Sequence, residues 1–489
     1  MDSAVRTRVA TGAVGLLALV ALVALLALTG CQSLIPAYQR PEAPIPAAYA
    51  PEMTPAAAAA ANAEAAADIE WQRFFADPRL RRLIALALEN NRDLRVAVLN
   101  IEQARAAYQI RRADIFPSVG AGATASRSAV GQNNLGTTYA VGLAVTGYEI
   151  DLFGRVQNLS QAALSQYLAT AESRKAVQLS LIGNVATTYL NVLADEELLK
   201  VTRLTLVTRE ESTRLTKLRF DYGATSELDY RQAESLLEGA RVALAQSLRQ
   251  KALDENVLVL LVGQGLPADL PAPLPLGAQQ VPLDLPAGLP SELLARRPDV
   301  RSAEQQLLAA NANIGAARAA FFPRISLTTT LGTASTELSS LFKGGTFALT
   351  GTAQLLQPIF DAGRNRANLD VAKVNRDIAV AQYEKSIQTS FREVSDALAG
   401  RATLGEQLRA QLAQTHALAV TYRLADLRYR AGAASYLDAL DAQRSLFVAQ
   451  QALVQTQALQ LQNLVVLYRV LGGGWKEGAA VLNAEATSR

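Results

Sequence analysis

Leu218-Arg219-Phe220-Asp221-Tyr222-Gly223-Ala224-Thr225-Ser226-Glu227-Leu228-Asp229 returns 209 positions later as Leu427-Arg428-Tyr429-Arg430-Ala431-Gly432-Ala433-Ala434-Ser435-Tyr436-Leu437-Asp438. Each stretch sets a turn-like Gly-Ala-x-Ser between two long helix-favouring segments. Other landmarks recur at nearly the same spacing. Gly154-Arg155 matches Gly363-Arg364 at 209, while Asp93-Leu94-Arg95 matches Asp299-Val300-Arg301 and Phe116-Pro117 matches Phe322-Pro323 at 206. A near-constant offset over more than a hundred residues marks a tandem duplication, with a unit far longer than a solenoid repeat.

Working outward from the two turns, both halves read alike. The segment before each Gly is helical for an unusual length, Val156 to Tyr222 and Arg364 to Ala431. At 1.5 Å per residue each would run roughly 100 Å. A helix runs back from each turn, Glu227 to Val262 and Tyr436 to Leu471. In the last helix Leu440, Phe447, Val454, Leu461 and Tyr468 recur every seven residues, as packing between helices requires. A helix of about 30 residues opens each half, Leu80 to Arg112 with Asp77-Pro78 as its start signal, and Ser291 to Ala320. Proline separates the halves: none occurs from 118 to 266 or from 359 to 489, whereas 266–290 holds seven. That stretch reads as an exposed connector.

Between the first and the long helix of each half lie two alternating segments. Tyr139, Val141, Leu143 and Val145 alternate with Ala140, Gly142, Ala144 and Thr146. Ile325, Leu327 and Leu331 alternate with Ser326, Thr328, Thr330 and Gly332; Phe347 and Leu349 alternate with Thr346, Ala348 and Thr350. Val119, Ala121, Ala123 and Ala125 form the weakest case. One face is apolar and the other small and polar, which suits a tilted membrane strand or a soluble sheet covered on one side. In lipid a sheet must close. Four strands per chain are too few; eight from two chains make a filled barrel, and twelve from three leave a channel.

The N-terminus is a targeting segment. Arg6 and Arg8 precede an apolar run from Val9 to Leu28, which ends in Leu28-Thr29-Gly30-Cys31. Cys31 is the only Cys and stands where a bacterial lipoprotein signal places its acylated residue, so 1–30 is expected to be a cleaved signal peptide. Residues 34–67, with six prolines from Pro36 to Pro55 and then an Ala-rich run, read as a strap from the lipid to the body.

Composition excludes much. The chain has 489 residues, is 50% hydrophobic but 6% aromatic, and carries a net charge of +3. Without a basic block there is no footprint for nucleic acid. One Cys and one His exclude an intrachain disulfide framework and multi-His metal sites. The single His416 sits in a helical stretch with no nucleophile elbow or phosphate loop nearby, so neither an enzyme nor a cofactor is expected.

With these features in view, the chain resembles the outer-membrane efflux channels of the TolC family, most closely the OprM-like lipoprotein branch. The resemblance is carried by Tyr38-Gln39-Arg40-Pro41, Asn91-Arg92-Asp93-Leu94 and Tyr148-Glu149-Ile150-Asp151-Leu152-Phe153-Gly154-Arg155. It continues through Arg296-Arg297-Pro298-Asp299-Val300-Arg301, Phe322-Pro323, Asp438 to Arg444 and Leu471-Gly472-Gly473-Gly474-Trp475. It implies a mixed α/β membrane protein: a homotrimer with a twelve-stranded outer-membrane β-barrel, a long periplasmic α-barrel and an equatorial region. It also implies a periplasmic adaptor (membrane fusion) protein and an inner-membrane pump, commonly of the resistance–nodulation–division (RND) class, with the channel a passive duct for drugs or other small molecules. A duct for protein secretion or heavy-metal efflux is the competing family reading. The expected organisation is signal 1–30, strap 31–70, first repeat 71–265, connector 266–290, second repeat 291–475 and tail 476–489.

The resemblance also assigns residues. Tyr429, Leu437, Asp438, Asp441 and Arg444 match positions that narrow the pore at its periplasmic end. Leu437, Asp441 and Arg444 share one helical face, and threefold symmetry would make each a ring. The first repeat departs, with Asp229 matching Asp438 but Gln232 and Ser235 standing for Asp441 and Arg444. Gly223, Ala224, Ser226 and Leu228, with Gly432, Ala433 and Ser435, are the expected adaptor-docking tips.

Overall fold

The computed structural model describes residues 33–50, 65–130, 134–281, 285, 290 and 296–474. The signal segment, Cys31, Trp475, the tail and parts of the strap and connector lie outside the described residues. In chain order the elements are α1 (Trp71–Phe74), α2 (Pro78–Asn90), α3 (Arg92–Ala113), β1 (Val119–Val130), β2 (Asn134–Ile150), α4 (Arg155–Asp221) and α5 (Glu227–Val262). Then follow α6 (Pro298–Ala319), β3 (Arg324–Ser335), β4 (Phe347–Leu356), α7 (Arg364–Arg430) and α8 (Tyr436–Val470). The duplication is plain in this order, and α4 and α7 have the same length, 67 residues. Among the described residues no helix is long and apolar enough to cross a membrane.

The opening helix of the first half is two helices, not the one expected. Asn91 is extended (φ −62°, ψ 132°), its Oδ1 accepts from the Leu94 N–H at 2.9 Å, and its Nδ2 donates to the Leu261 carbonyl at 2.9 Å. An Asn side chain competes with the backbone ladder in this way, and here a tertiary bond tips the balance. The Asp77-Pro78 signal performs as expected: Asp77 Oδ1 accepts from the N–H groups of Arg79 and Leu80, with Pro78 in the first turn.

The chain divides into two compact units. The first comprises the described strap up to 42, residues 100–171 and 302–384. Its centre is an antiparallel sheet in the order β1-β2-β3-β4. Leu143 lies opposite Leu331, which lies opposite Leu349; Gly142 lies opposite Gly332, and Ala144 opposite Thr330 and then Thr350. Val141, Leu143, Leu331, Leu349 and Phe347 thus share one face, and Ala140, Gly142, Ala144, Thr330, Gly332 and Thr350 the other. A bulge at Gly147 (φ 66°), whose N–H donates to Thr328 Oγ1 at 3.1 Å, shifts the parity. Tyr148 and Ile150 therefore continue the apolar face beside Leu327 and Ile325. Gly142 and Gly332 need to be glycine: a Cβ on Gly142 would collide with the Leu331 carbonyl oxygen, and one on Gly332 with that of Val141. The strap runs along α6. Arg40 forks onto Glu304 with two 2.8 Å bonds, and Asn311 and Arg318 donate to the carbonyls of Pro36 and Leu34.

The second unit comprises residues 43–99, 172–301 and 385 onward. Its core gathers Phe74, Phe75, Leu83, Ile84, Ile182, Tyr189, Leu190 and Tyr468. Phe74 stacks on Tyr468 with centroids 3.9 Å apart, and the Tyr189 hydroxyl donates to Asp77 Oδ2 at 2.8 Å. The heptad residues Leu440, Phe447, Val454, Leu461 and Tyr468 are all buried. The connector is not simply exposed: Leu276 and Leu285 are buried, and Gln279 donates to Asp77. Tyr49 of the strap is likewise buried, stacked on Phe391. Isolated apolar residues in a proline-rich stretch can anchor on a core built elsewhere, and composition does not register that.

One buried acid gives this unit a pH dependence. Asp195 of α4 is buried, its Oδ2 without a hydrogen-bond partner, and faces the Asp254 carboxyl of α5, with Lys251 and Glu255 close by. Burial, then the neighbouring Asp254 carboxyl, push its pKa up to about 7. A folded pKa raised above the unfolded value means that stability is full at low pH and is lost as pH rises from about 4 through about 7. Asp195→Asn should stabilise each chain at pH 8 by on the order of a few kcal/mol, raising the thermal midpoint there, and flatten the fall between pH 5 and 8. Melting followed by circular dichroism checks this; a variant that keeps the wild-type slope would assign the pH dependence to another group.

Candidate functional site: the paired helix tips

The two duplicated turns are built identically. Gly223 and Gly432 both take φ 72°, the left-handed conformation that only glycine adopts without strain. The Ala224 N–H reaches the Arg219 carbonyl at 2.7 Å and the Ala433 N–H that of Arg428 at 2.9 Å, which ends each long helix in a Schellman motif. Ser226 and Ser435 then start α5 and α8 with capping boxes to Asp229 and Asp438. Leu228 and Leu437 are exposed beside them.

The capping box changes the role expected of Asp438. Its carboxylate accepts from the Ser435 N–H at 3.2 Å, so it is engaged in starting α8. Asp229 is engaged more fully: it accepts from the Thr225 hydroxyl at 2.7 Å and from Ser226, and these bonds, the Thr225 one foremost, hold its pKa below the usual carboxylate value. Position 434 is Ala where the first tip has Thr225, so Asp438 lacks the hydroxyl partner. Asp441 pairs with Arg444 three residues on, both side chains more than half exposed. Leu437, Asp441 and Arg444 thus lie together on the exposed face of α8.

Tyr429 is the residue that ties the two tips together. Its hydroxyl accepts from Arg219 Nη1 at 2.6 Å, and the same guanidinium lies 5.1 Å from its ring centroid. Its ring also meets Tyr436, with centroids 5.0 Å apart, and the Tyr436 hydroxyl is 2.9 Å from Ser212 Oγ. Deeper in, the buried Arg209 of α4 donates to the Leu236 carbonyl at 2.8 Å and lies over the Phe447 ring of α8 at 5.1 Å. Arg219, Ser212, Tyr436 and Arg209 were not singled out from sequence. Arg219 had a signal, since it stands in the repeated motif opposite Arg428; a lone Arg209 on a helix face had none.

A family model described as "Outer membrane efflux protein" matches residues 83–264 and 289–473. The chain belongs to the outer membrane efflux protein family. It is 48% identical over 468 residues to the toluene efflux pump outer membrane protein TtgC of Pseudomonas putida, covering 94% of this chain and 96% of that one. The antibiotic efflux pump outer membrane protein ArpC of the same species matches to the same extent. Among solved structures, the open state of the MtrE outer membrane channel of Neisseria gonorrhoeae is 41% identical, covers 91% of this chain and 99% of its own, and superimposes with a TM-score of 0.83. This efflux protein is therefore the outer-membrane channel of a tripartite pump. It is a homotrimer whose four strands per chain build a twelve-stranded barrel, continued by an α-barrel that extends into the periplasm. The family is one of passive channels.

Proposed function

We propose that this channel is anchored by acylation at Cys31, docks a periplasmic adaptor through the tips around Gly223 and Gly432, receives cargo from an RND-type inner-membrane pump, and closes at its periplasmic end. The observation that carries the proposal is the pair of matched Schellman-and-capping-box turns joined by Arg219 and Tyr429. Two rigid exposed turns of the same shape offer a repeated docking surface, and three copies of the link can hold the ends together. The relatives' toluene and antibiotic efflux supports small apolar molecules as cargo. The experiment is reconstitution in a host lacking its own efflux channel, with an RND pump and its adaptor. Tolerance to toluene and to apolar antibiotics should return, and Cys31→Ala should lose palmitate labelling while some barrel still assembles. Outer-membrane trimers that restore no efflux with any RND partner would overturn the assignment; palmitate labelling of the Cys31→Ala chain would overturn the anchor.

A further inference from the structure

The duplication extends to side-chain contacts at the end of the sheet where α4 and α7 begin. The Tyr148 hydroxyl donates to the Ile115 carbonyl at 3.1 Å, and Gln357 Nε2 donates to the Phe321 carbonyl at 3.1 Å. Positions 148 and 357 differ by the 209 offset, and 115 and 321 by the 206 offset. The strand ends are thus braced alike in both repeats. Inside the chain, the β2–β3 seam is further closed by Phe153 stacked on Phe322, with centroids 4.6 Å apart and planes 16° apart. A charged clasp joins it, with Glu149 bonded to Arg155 at 2.6 Å and to Arg324 at 3.1 Å.

The repeat predicts a second seam of this kind. By the offsets, β2 and β3 correspond to β4 and β1, the two edge strands, which in a closed trimeric barrel pair between neighbouring copies. The rings that the chain offers there are unpartnered: Phe116 at the end leading into β1 is 66% exposed, and Phe360 after β4 is 90% exposed. The counterpart of Phe153 by strict offset is Ala362, so the ring of the second turn stands two residues earlier. The charged clasp has no counterpart, because Glu149 and Arg324 correspond to Pro358 and Ser118. Aromatic contact is then the chief side-chain device left to close that end of the seam.

We infer that Phe360 of one copy packs on Phe116 of the adjacent copy, as the clasp that closes each inter-subunit seam of the barrel. The register follows from Ile150 opposite Ile325 and Tyr148 opposite Leu327. Ile359 faces Val119 of the adjacent copy, and Gln357 faces Ala121. Ile359, 96% exposed in the single chain, gains an apolar neighbour by the same pairing. The alternative occupant for these rings is the lipid interface, where aromatic residues also collect.

The test uses chains carrying Phe116→Cys or Phe360→Cys, with different tags, co-expressed and treated with a short bis-maleimide, whose two electrophilic ends each alkylate one thiol. A mixed-tag covalent dimer is expected, and the doubly substituted chain should give covalent dimers and trimers; neither single variant expressed alone should. Phe360→Ala should lower by several degrees the temperature at which detergent-resistant trimers fall apart, and Phe360→Leu should restore part of it. Intact trimers of the doubly substituted chain that give no inter-chain product would overturn the clasp. So would strong quenching of a Phe360→Trp chain by brominated lipid, measured against the unsubstituted protein, since that ring would then face the membrane.

Discussion

Leu143→Arg is expected to deplete the assembled trimer, while Ala144→Arg leaves it close to wild type. The two positions are adjacent and so lie at nearly the same depth, but on opposite faces of β2. Leu143 shares its face with Leu331 and Leu349, the row that turns to lipid; Ala144 sits beside Thr330 and Thr350, the row that turns to the lumen. An arginine on the lipid face near the bilayer midplane costs about 2–4 kcal/mol, whereas one in a water-filled lumen keeps its hydration. The cost occurs in every copy, so the trimer bears it three times. Thr328 would be a poorer lumen control, because its hydroxyl accepts from the bulged Gly147 N–H and its loss would perturb the bulge. The measurement is the yield of heat-modifiable trimer in outer-membrane fractions. Equal yields from the two variants would mean that the faces are assigned the wrong way or that the sheet is not in lipid.

The second large effect is expected at the tips. Arg219→Ala should raise the single-channel conductance of purified trimers in planar bilayers more than Asp441→Ala with Arg444→Ala, and Tyr429→Phe, which keeps the ring beside the guanidinium and loses only the hydrogen bond, should raise it less than Arg219→Ala. The link from Arg219 to Tyr429 combines a hydrogen bond from a charged donor with a cation–π contact, and it joins α4 to α7. Discounted for exposure, about 1 kcal/mol per chain is reasonable. Three links acting on one concerted opening make about 3 kcal/mol, or roughly a hundredfold in the open-to-closed ratio. Asp441 and Arg444 form an exposed pair within one helix, where a few tenths of a kcal/mol is typical. Their effect rests on the rings they make in the trimer and should be smaller. Asp438→Ala is a less clean probe, since it removes the cap of α8 together with the charge. If the Arg219 and Tyr429 variants conduct as wild type with trimers intact, closure does not depend on this link.

Much of this architecture could be read in advance because it is periodic. The long helices were bounded to within a residue by Gly223, Gly432 and the Gly-Arg pairs, since turn chemistry and helix periodicity agree there. The alternating strands and the heptad of α8 were legible for the same reason. What was not legible depends on tertiary partners. Asn91 interrupts a helical pattern because its amide finds the Leu261 carbonyl, 170 positions away. Leu276 and Leu285 bury themselves from a stretch whose prolines argue for exposure. In the sequence Asp438 stands out for its charge, whereas the fold first uses its bond to Ser435. The Arg219–Tyr429 link joins different repeats, and a match between repeats identifies equivalents, not contacts.

At the level of Leu143, above the Glu149–Arg324 clasp, the face that turns to the lumen carries Gly142, Gly332, Ala140, Ala144, Thr330 and Thr350. Such a surface has no large apolar side chain to grip a solvent molecule and no fixed charge to hold an ion. A solute therefore finds no deep energy well along this stretch, and its residence time there is set by diffusion. Passage through this stretch should rise in proportion to the concentration delivered at its lower end, without saturating. The same smoothness leaves an inhibitor little to hold onto in this part of the conduit.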